Sequence, residues 1–291
     1  MGKMSRKALI IANNTAKYGP LLAALSDKRT SVSACSYRDL SFLIDGENSS
    51  IICQNTGEDV KEFSRILVLS TSPYHLENYI FSALSCYCRK NQIEILDDSF
   101  SNTDGKLYSL WRFWEQGIPV AKTAFGPIDF LAQELAEFGG TGVLKSVQGT
   151  KGKDNYLVHS EEELRKIIAK NQEINFILQE FIENDGDYRI IVANFKPKLA
   201  IFRSSNGKDF RNNTSVGGEA KLIPIEEVNK NVLELAVASA KALDIKIAGA
   251  DILPSKTGEY TVLEVNRTPQ LVTGAFPEEK QRVIRELISE H

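Results

Sequence analysis

A chain of 291 residues, 42% of them hydrophobic, can bury a sizeable core and has the length for about two domains. A net charge of -3 gives no basic excess for nucleic acid or a membrane surface, and no apolar run approaches the roughly 20 residues of a membrane span. The four cysteines, Cys35, Cys53, Cys86 and Cys88, lack a zinc spacing and read as reduced thiols of a cytoplasmic protein.

The first apolar run, 7–12, turns polar at Asn13-Asn14 and reads as a strand rather than a signal peptide. A helix opens over 21–25 behind Gly19-Pro20. Residues 65–69 form a second buried-type strand, 75–90 a helix with apolar Leu76, Ile80, Ala83, Leu84 and Tyr87, and 93–96 a third strand ended by Asp97-Asp98. Strands alternating with helices predict a small α/β layer with parallel strands, without a glycine-rich dinucleotide fingerprint. A helix follows over 104–116, with Lys106 near its start and Gly117 at its stop. After an extended 118–120 come a helix over 128–138, a strand over 142–147, the loop QGTKGKD and a strand over 156–158. A helix over 160–171 opens on a Ser160–Glu163 capping box. Three strand-rich segments then read FILQEFI, DYRIIVANF and KLAIFRSS, with Pro197 in the turn between the last two. A polar loop, a strand over 221–225, a helix over 226–243, a hairpin and a helix over 277–289 complete the chain.

The hairpin carries the most chemistry. In AGADILPSKTGEYTVLEVNRTP, apolar runs 250–253 and 260–265 flank a polar loop with Pro254 and Gly258. Strand alternation places Val262, Glu264 and Asn266 on one face, Leu263 and Val265 on the other, with Asp251 on the partner run. Two carboxylates and an amide oxygen among apolar residues need compensation if buried, and such hard donors suit Mg2+; acids turned to water are the competing reading. Lys145 lies mid-strand ahead of Gly149 and Gly152, which fits a phosphate cradle without P-loop spacing. QEFI closes a strand where its backbone could pair with a planar base. Asp187 and Arg189 alternate towards one side, and Arg203 ends the next strand. Taken singly, each reads first as a turn, a strand end or a solvated charge.

Their order changes this. KSVQGTKG, LQEFI, GDYR, FRNN, GGEA, AGADIL and LEVN together resemble the ATP-grasp fold, and above all its RimK-type glutamate ligase branch, from about Lys106 to Pro269. The resemblance implies an α/β (α+β) architecture in which two α+β subdomains sandwich ATP behind a small Rossmann-like α/β domain, divided as 1–100, 101–175 and 176–291. It implies that Lys106 and Lys145 touch the ATP phosphates, under a flap of Gln148, Gly149, Thr150, Lys151 and Gly152. Glu180, Phe181 and Ile182 would bind adenine, and Asp187 the ribose. Arg211, Asn212 and Asn213 would reach the γ-phosphate and the phosphorylated intermediate. Arg189 and Arg203 would meet phosphate or the carboxylate substrate, with Arg203, Arg211 and Asn213 the catalytic set. Asp251, Glu264 and Asn266 would hold Mg2+, as two ions bridged by Glu264, with Mn2+ an alternative.

The implied activity is an ATP-dependent carboxylate–amine ligase working through an acyl phosphate, its substrates small molecules, a peptide or a protein. A homo-oligomer is compatible with this reading. A phosphotransferase on the same fold and a non-catalytic nucleotide-binding regulatory module stay open as alternatives. The three histidines, His75, His159 and His291, fall in none of the motifs. The sequence departs from the branch at Lys153-Asp154-Asn155 and at RTPQLVTGAF, so glutamate and a ribosomal protein substrate do not carry over.

Overall fold

The computed structural model describes residues 6–12, 15, 18–27, 30–44, 49–69, 76–99, 105–147, 154–205, 207, 210–212 and 218–289. The first layer contains β1 (Arg6–Ala12), α1 (Gly19–Leu25), β2 (Thr30–Ser36), β3 (Leu40–Leu43), β4 (Ser50–Cys53), β5 (Glu58–Asp59), β6 (Arg65–Val68), α2 (Leu76–Lys90) and β7 (Glu94–Ile95). Its main sheet has the order β2-β1-β6-β7 with every pair parallel. The unbroken apolar runs of β1 and β6 follow from burial on both faces. Leu9 and Ile11 join Val68, Phe81 and Leu84 on one side, while Ala8 and Ile10 join Leu21 and Leu25 on the other. Strands β2 to β5 add to the predicted elements; β3, β4 and β5 form a separate antiparallel sheet.

The second layer holds α3 (Lys106–Glu115), β8 (Thr123–Ala124), α4 (Ile128–Glu137), β9 (Gly142–Ser146), β10 (Asn155–Val158), α5 (Glu161–Lys170) and β11 (Phe176–Glu180). The strands form an antiparallel sheet, β10-β9-β11-β8. Leu131 and Leu135 of α4 and Leu164 of α5 pack against Leu144 and Leu178 of this sheet. Ser160 caps α5 through the Glu163 amide, but the Glu163 carboxylate accepts from the His159 amide rather than from Ser160, so the capping box closes one residue early.

The third layer comprises β12 (Asp187–Ala193), β13 (Lys196–Ser204), β14 (Glu219–Ile223), α6 (Lys230–Ala242), β15 (Ile247–Pro254), β16 (Tyr260–Asn266) and α7 (Pro277–Ser289). All strands run antiparallel in the order β14-β13-β12-β15-β16. One face, with Ile190, Val192, Ala200, Ala248, Ala250 and Ile252, packs on α6. On the other face Ile191, Ala193, Leu199, Ile201 and Ile247 share a core with β1, α1 and α7. Arg65 fixes this junction by donating Nη1 to the carbonyls of Leu287 and Ile288, the open end of α7. Pro197 lies inside β13 opposite Val192, not in the turn. The turn is made by Asn194 and Phe195, both left-handed, and the register shifts beside the proline, where a missing N–H is tolerated. The segment predicted as one helix from 226 instead starts with a 3-10 turn, Ile225–Glu227, and α6 begins at Lys230 behind the Asn229 cap.

Candidate active site

The face of the third sheet that carries Ile191, Ile201 and Ile247 turns charged at its far end. Strand alternation continues it to Asp187, Arg189, Arg203, Gly249 and Asp251. Asp187 stands opposite Arg203, and Arg189 opposite Asp251. The four charges form one chain of ion pairs. Arg203 donates Nε and Nη2 to Asp187, each at 2.7 Å, and Nη2 also reaches Asp251 at 3.0 Å. Arg189 donates Nε to Asp251 Oδ1 and Nη2 to Oδ2, the latter at 2.7 Å. Asp187, Arg203 and Asp251 are all buried. Burial pushes the Asp251 carboxyl up, but Arg189 and Arg203 outweigh it and the net displacement is downward. Burial dominates at Asp187, whose proton is held more tightly than usual despite Arg203.

The hairpin delivers Glu264 to the same face by a β-bulge. Ile252 pairs with Val262 and Asp251 with Glu264, leaving Leu263 without a partner. Val262 therefore lies with Ile252 in the α6 core, while Glu264 and Asn266, opposite Asp251 and Gly249, face the charged side. This corrects the simple alternation that grouped Val262 with Glu264 and Asn266. Asn266 donates its amide to Glu264 Oε1 at 2.9 Å. Among the described residues no group of three His, Cys, Asp or Glu side chains stands together as a metal site; the convergent donors are two carboxylates and an amide. The oxygen chemistry of that set suits a hard divalent cation, with Asp251 kept ionised and both of its oxygens also held by Arg189 and Arg203.

Lys145 approaches from the second layer. Its neighbour Leu144 packs under α4, so Lys145 takes the opposite face of β9. Burial lowers its ammonium to about 8; the charge of Glu264 works against the fall and that of Lys106 adds to it. Lys106, at the start of α3, donates Nζ to the Ser146 carbonyl at 2.6 Å and is also lowered by burial. Two cations thus stand within electrostatic reach of the hairpin carboxylates.

At the end of β11, Glu180 is tied to Lys122 in both directions: its Oε1 accepts from the Lys122 amide at 2.9 Å and its own amide donates to the Lys122 carbonyl at 3.0 Å. Phe181 and Ile182 follow, and Asn184 donates to the Ile182 carbonyl. Asn184 also accepts from Asn212 at 2.9 Å, which binds the loop carrying Arg211 to this segment. Arg211 lies 5.8 Å from the Phe210 ring centroid. Of the predicted site residues, Gln148, Gly149, Thr150, Lys151, Gly152 and Asn213 lie outside the described residues. Two polar residues were not singled out from sequence, Asn184 and Lys280. Nothing in its spacing marks Asn184. Lys280 could have been found, because with Val283, Ile284, Leu287 and Ile288 it occupies the apolar period of α7.

A family model described as the RimK-like ATP-grasp domain matches residues 103–280, more than half of the chain. This chain belongs to the RimK-like ATP-grasp family. A probable alpha-L-glutamate ligase of Cellvibrio japonicus is 31% identical over 197 residues, covering 66% of this chain and 62% of that relative, so the match spans less than two thirds of the relative's length. The ATP-grasp fold extends through the first layer in solved structures. A RiPP-associated ATP-grasp ligase of Chryseobacterium gregarium, in complex with ADP and a leader and core peptide, aligns with a TM-score of 0.71 at 13% identity, over 97% of this chain and 96% of that one. The D-alanine–D-alanine ligase of Bacillus anthracis, complexed with ATP, aligns at 0.68 and 16% identity, over 98% and 94%. Among the described residues no helix is long and apolar enough to cross a membrane.

Proposed function

We propose that this ATP-grasp chain is an ATP-dependent carboxylate–amine ligase, with residues 1–100 preceding two ATP-grasp subdomains, 101–175 and 176–291, that enclose the nucleotide. The observation that carries the reading is a pair of lysines, Lys106 bonded to the Ser146 carbonyl next to Lys145, both within electrostatic reach of Glu264 on the strand that pairs with Asp251. Lysines opposite an oxygen cluster suit a triphosphate and its Mg2+. Glu180, Phe181 and Ile182 line the adenine end, with Asp187 towards the ribose. Lys106, Lys145 and the flap 148–152 hold the phosphates. Arg211, Asn212 and Asn213 meet the γ-phosphate, and Arg189 and Arg203 set the charge on Asp251 beside the substrate carboxylate.

Mg2+ bound by Asp251, Glu264 and Asn266 would supply Lewis-acid charge to the phosphoryl oxygens. The substrate carboxylate attacks the γ-phosphorus and ADP leaves; the amine then attacks the acyl carbon of the acyl phosphate and inorganic phosphate leaves. Neither step needs a nucleophilic side chain. The protein contributes position and preorganised charge. The peptide-bound Chryseobacterium neighbour supports a peptide among the candidate substrates, and the name of the Cellvibrio relative supports an amino acid among them.

The test is an ADP-release screen of carboxylic acids against amines and peptides, with products identified by mass spectrometry. A condensed product whose mass names both partners is expected. A phosphorylated acid that accumulates with no dependence on any amine would replace this reading by phosphotransfer.

A further inference from the structure

The segment that follows β7 in the first layer is bonded to the two strands that carry the metal donors. Asp97 and Ser99 in this segment are both buried. Asp97 Oδ2 accepts from the Ile247 amide, at the start of β15, at 2.8 Å. Its Oδ1 accepts from the Ser99 amide at 3.0 Å. The Ser99 carbonyl in turn accepts from Arg267 Nη1 at 2.8 Å. Burial raises the Asp97 carboxyl above its usual range, and the charge of Arg267 works against the rise. The bonds run from β15 through the first layer to the residue that follows Asn266.

Strand geometry shows what these bonds replace. The last pair between β15 and β16 is Gly249 with Asn266, while Ile247 still pairs with Ala193 of β12. The Lys246 carbonyl accepts from the Asn194 amide at 2.8 Å, on the β12 side. In a trans peptide the carbonyl and the next amide point opposite ways, so the Ile247 amide points to the side where β16 has already ended. A buried amide needs an acceptor, and Asp97 supplies the one that a longer β16 would have offered. Arg267, where β16 leaves the sheet, is tied to Ser99. Both strands are thus held just beyond the Gly249–Asn266 pair by the one segment 97–99. Strand ends are where local opening costs least. Asn266 is the terminal residue of β16, whereas Asp251 and Glu264 pair inside the hairpin.

We propose that Asp97 and Arg267 are positioning residues for Asn266, so that the first layer sets how well the hairpin holds a divalent cation against the nucleotide. The proposal rests on the ligase reading, through the metal site that reading assigns, and deepens it. The competing role is a joint between layers that contributes stability alone. Arg267→Met keeps an apolar stem but cannot donate to the Ser99 carbonyl; Arg267→Lys can. Asp97→Asn offers one oxygen where two amides need acceptors. Val60→Ala, which opens a cavity in the first-layer core, controls for lost stability.

The test needs no turnover. Calorimetry gives the Kd of a non-hydrolysable ATP analogue in EDTA and in saturating Mg2+, and the ratio of the two measures how strongly metal and nucleotide are coupled on the protein. Arg267→Met is expected to lower this ratio at least fivefold (roughly 1 kcal/mol of coupling) while the Kd in EDTA changes less than twofold. Arg267→Lys should recover part of the loss, Asp97→Asn should shift the ratio the same way, and Val60→Ala should leave it at the wild-type value. An unchanged ratio in Arg267→Met, or an equal fall in Val60→Ala, would overturn the proposal while leaving the ligase reading in place. If Asp97→Asn does not fold, Arg267→Met decides alone. A wild-type protein that binds the analogue equally well in EDTA and in Mg2+ would overturn the metal site and the ligase reading, and the proposal with them.

Discussion

Arg203 grips Asp187 through two parallel hydrogen bonds of 2.7 Å from directly opposed positions on β12 and β13, and the same guanidinium reaches on to Asp251 at 3.0 Å. One buried side chain therefore bridges two carboxylates that belong to different strands, Asp251 sharing it with Arg189. Arg203→Ala would strand Asp187 and leave Asp251 to Arg189 alone. Removal of one partner of a buried pair typically costs about 3–5 kcal/mol, and denaturant unfolding should show a loss of that order. Arg203→Lys should recover only part, because an ammonium cannot reproduce the planar fork. An alanine variant within about 0.5 kcal/mol of wild type would mean that the network is not maintained in solution.

Glu264 is half-buried on the hairpin, and Glu264→Gln keeps its volume and the acceptor for Asn266. The variant is expected to fold with an unchanged Tm, while ADP release in Mg2+ falls roughly a hundredfold or more. Turnover at the wild-type rate would show that the hairpin carboxylate does not serve the nucleotide.

Gly249 pairs with Asn266 and has no room for a side chain: a methyl group would sit 2.8 Å from Pro269 Cβ. Gly249→Ala should cost about 1–3 kcal/mol through overpacking and should displace Arg189, so that activity drops by more than the loss of folded protein explains. Thermal melting followed by activity per folded molecule separates the two effects.

Lys145 supplies the pH dependence. Its ammonium, lowered to about 8 by burial, is protonated below that pH and neutral above it. Nucleotide affinity should be full below pH 8 and fall as the pH rises through it. A bound triphosphate favours the charged amine, so binding near pH 8 should take up a proton. Calorimetry in buffers of different ionisation heat reads this directly, and Lys145→Met should remove both the uptake and the pH slope.

The helices and the hairpin were legible because their signals are local. The last helix, 277–289, was placed to the residue by its apolar period behind Pro277. The short strands β3 to β5 were not, since two to four residues cannot display a period. Strand β2 does alternate over its first five residues, with Thr30, Val32 and Ala34 buried and Ser31 and Ser33 turned outward, but its small polar residues resemble a loop. The individual site residues could be listed from their motifs, whereas their pairing could not. Arg189 meets Asp251 across 62 residues, a choice made by strand register. That register is itself altered by a bulge, which leaves no mark in composition.

Leu263 acts as a phase correction within β16. The residues before it are keyed to α6 and those after it to Asp251, and the odd residue absorbs the mismatch between the two. Excising Leu263 alone would leave both halves in step with β15, while an added residue elsewhere in the strand would throw one half out of step. What the hairpin presents thus depends on counting as much as on chemistry: a homologue with the same acids and amide but its odd residue elsewhere would turn a different set of atoms to the charged face.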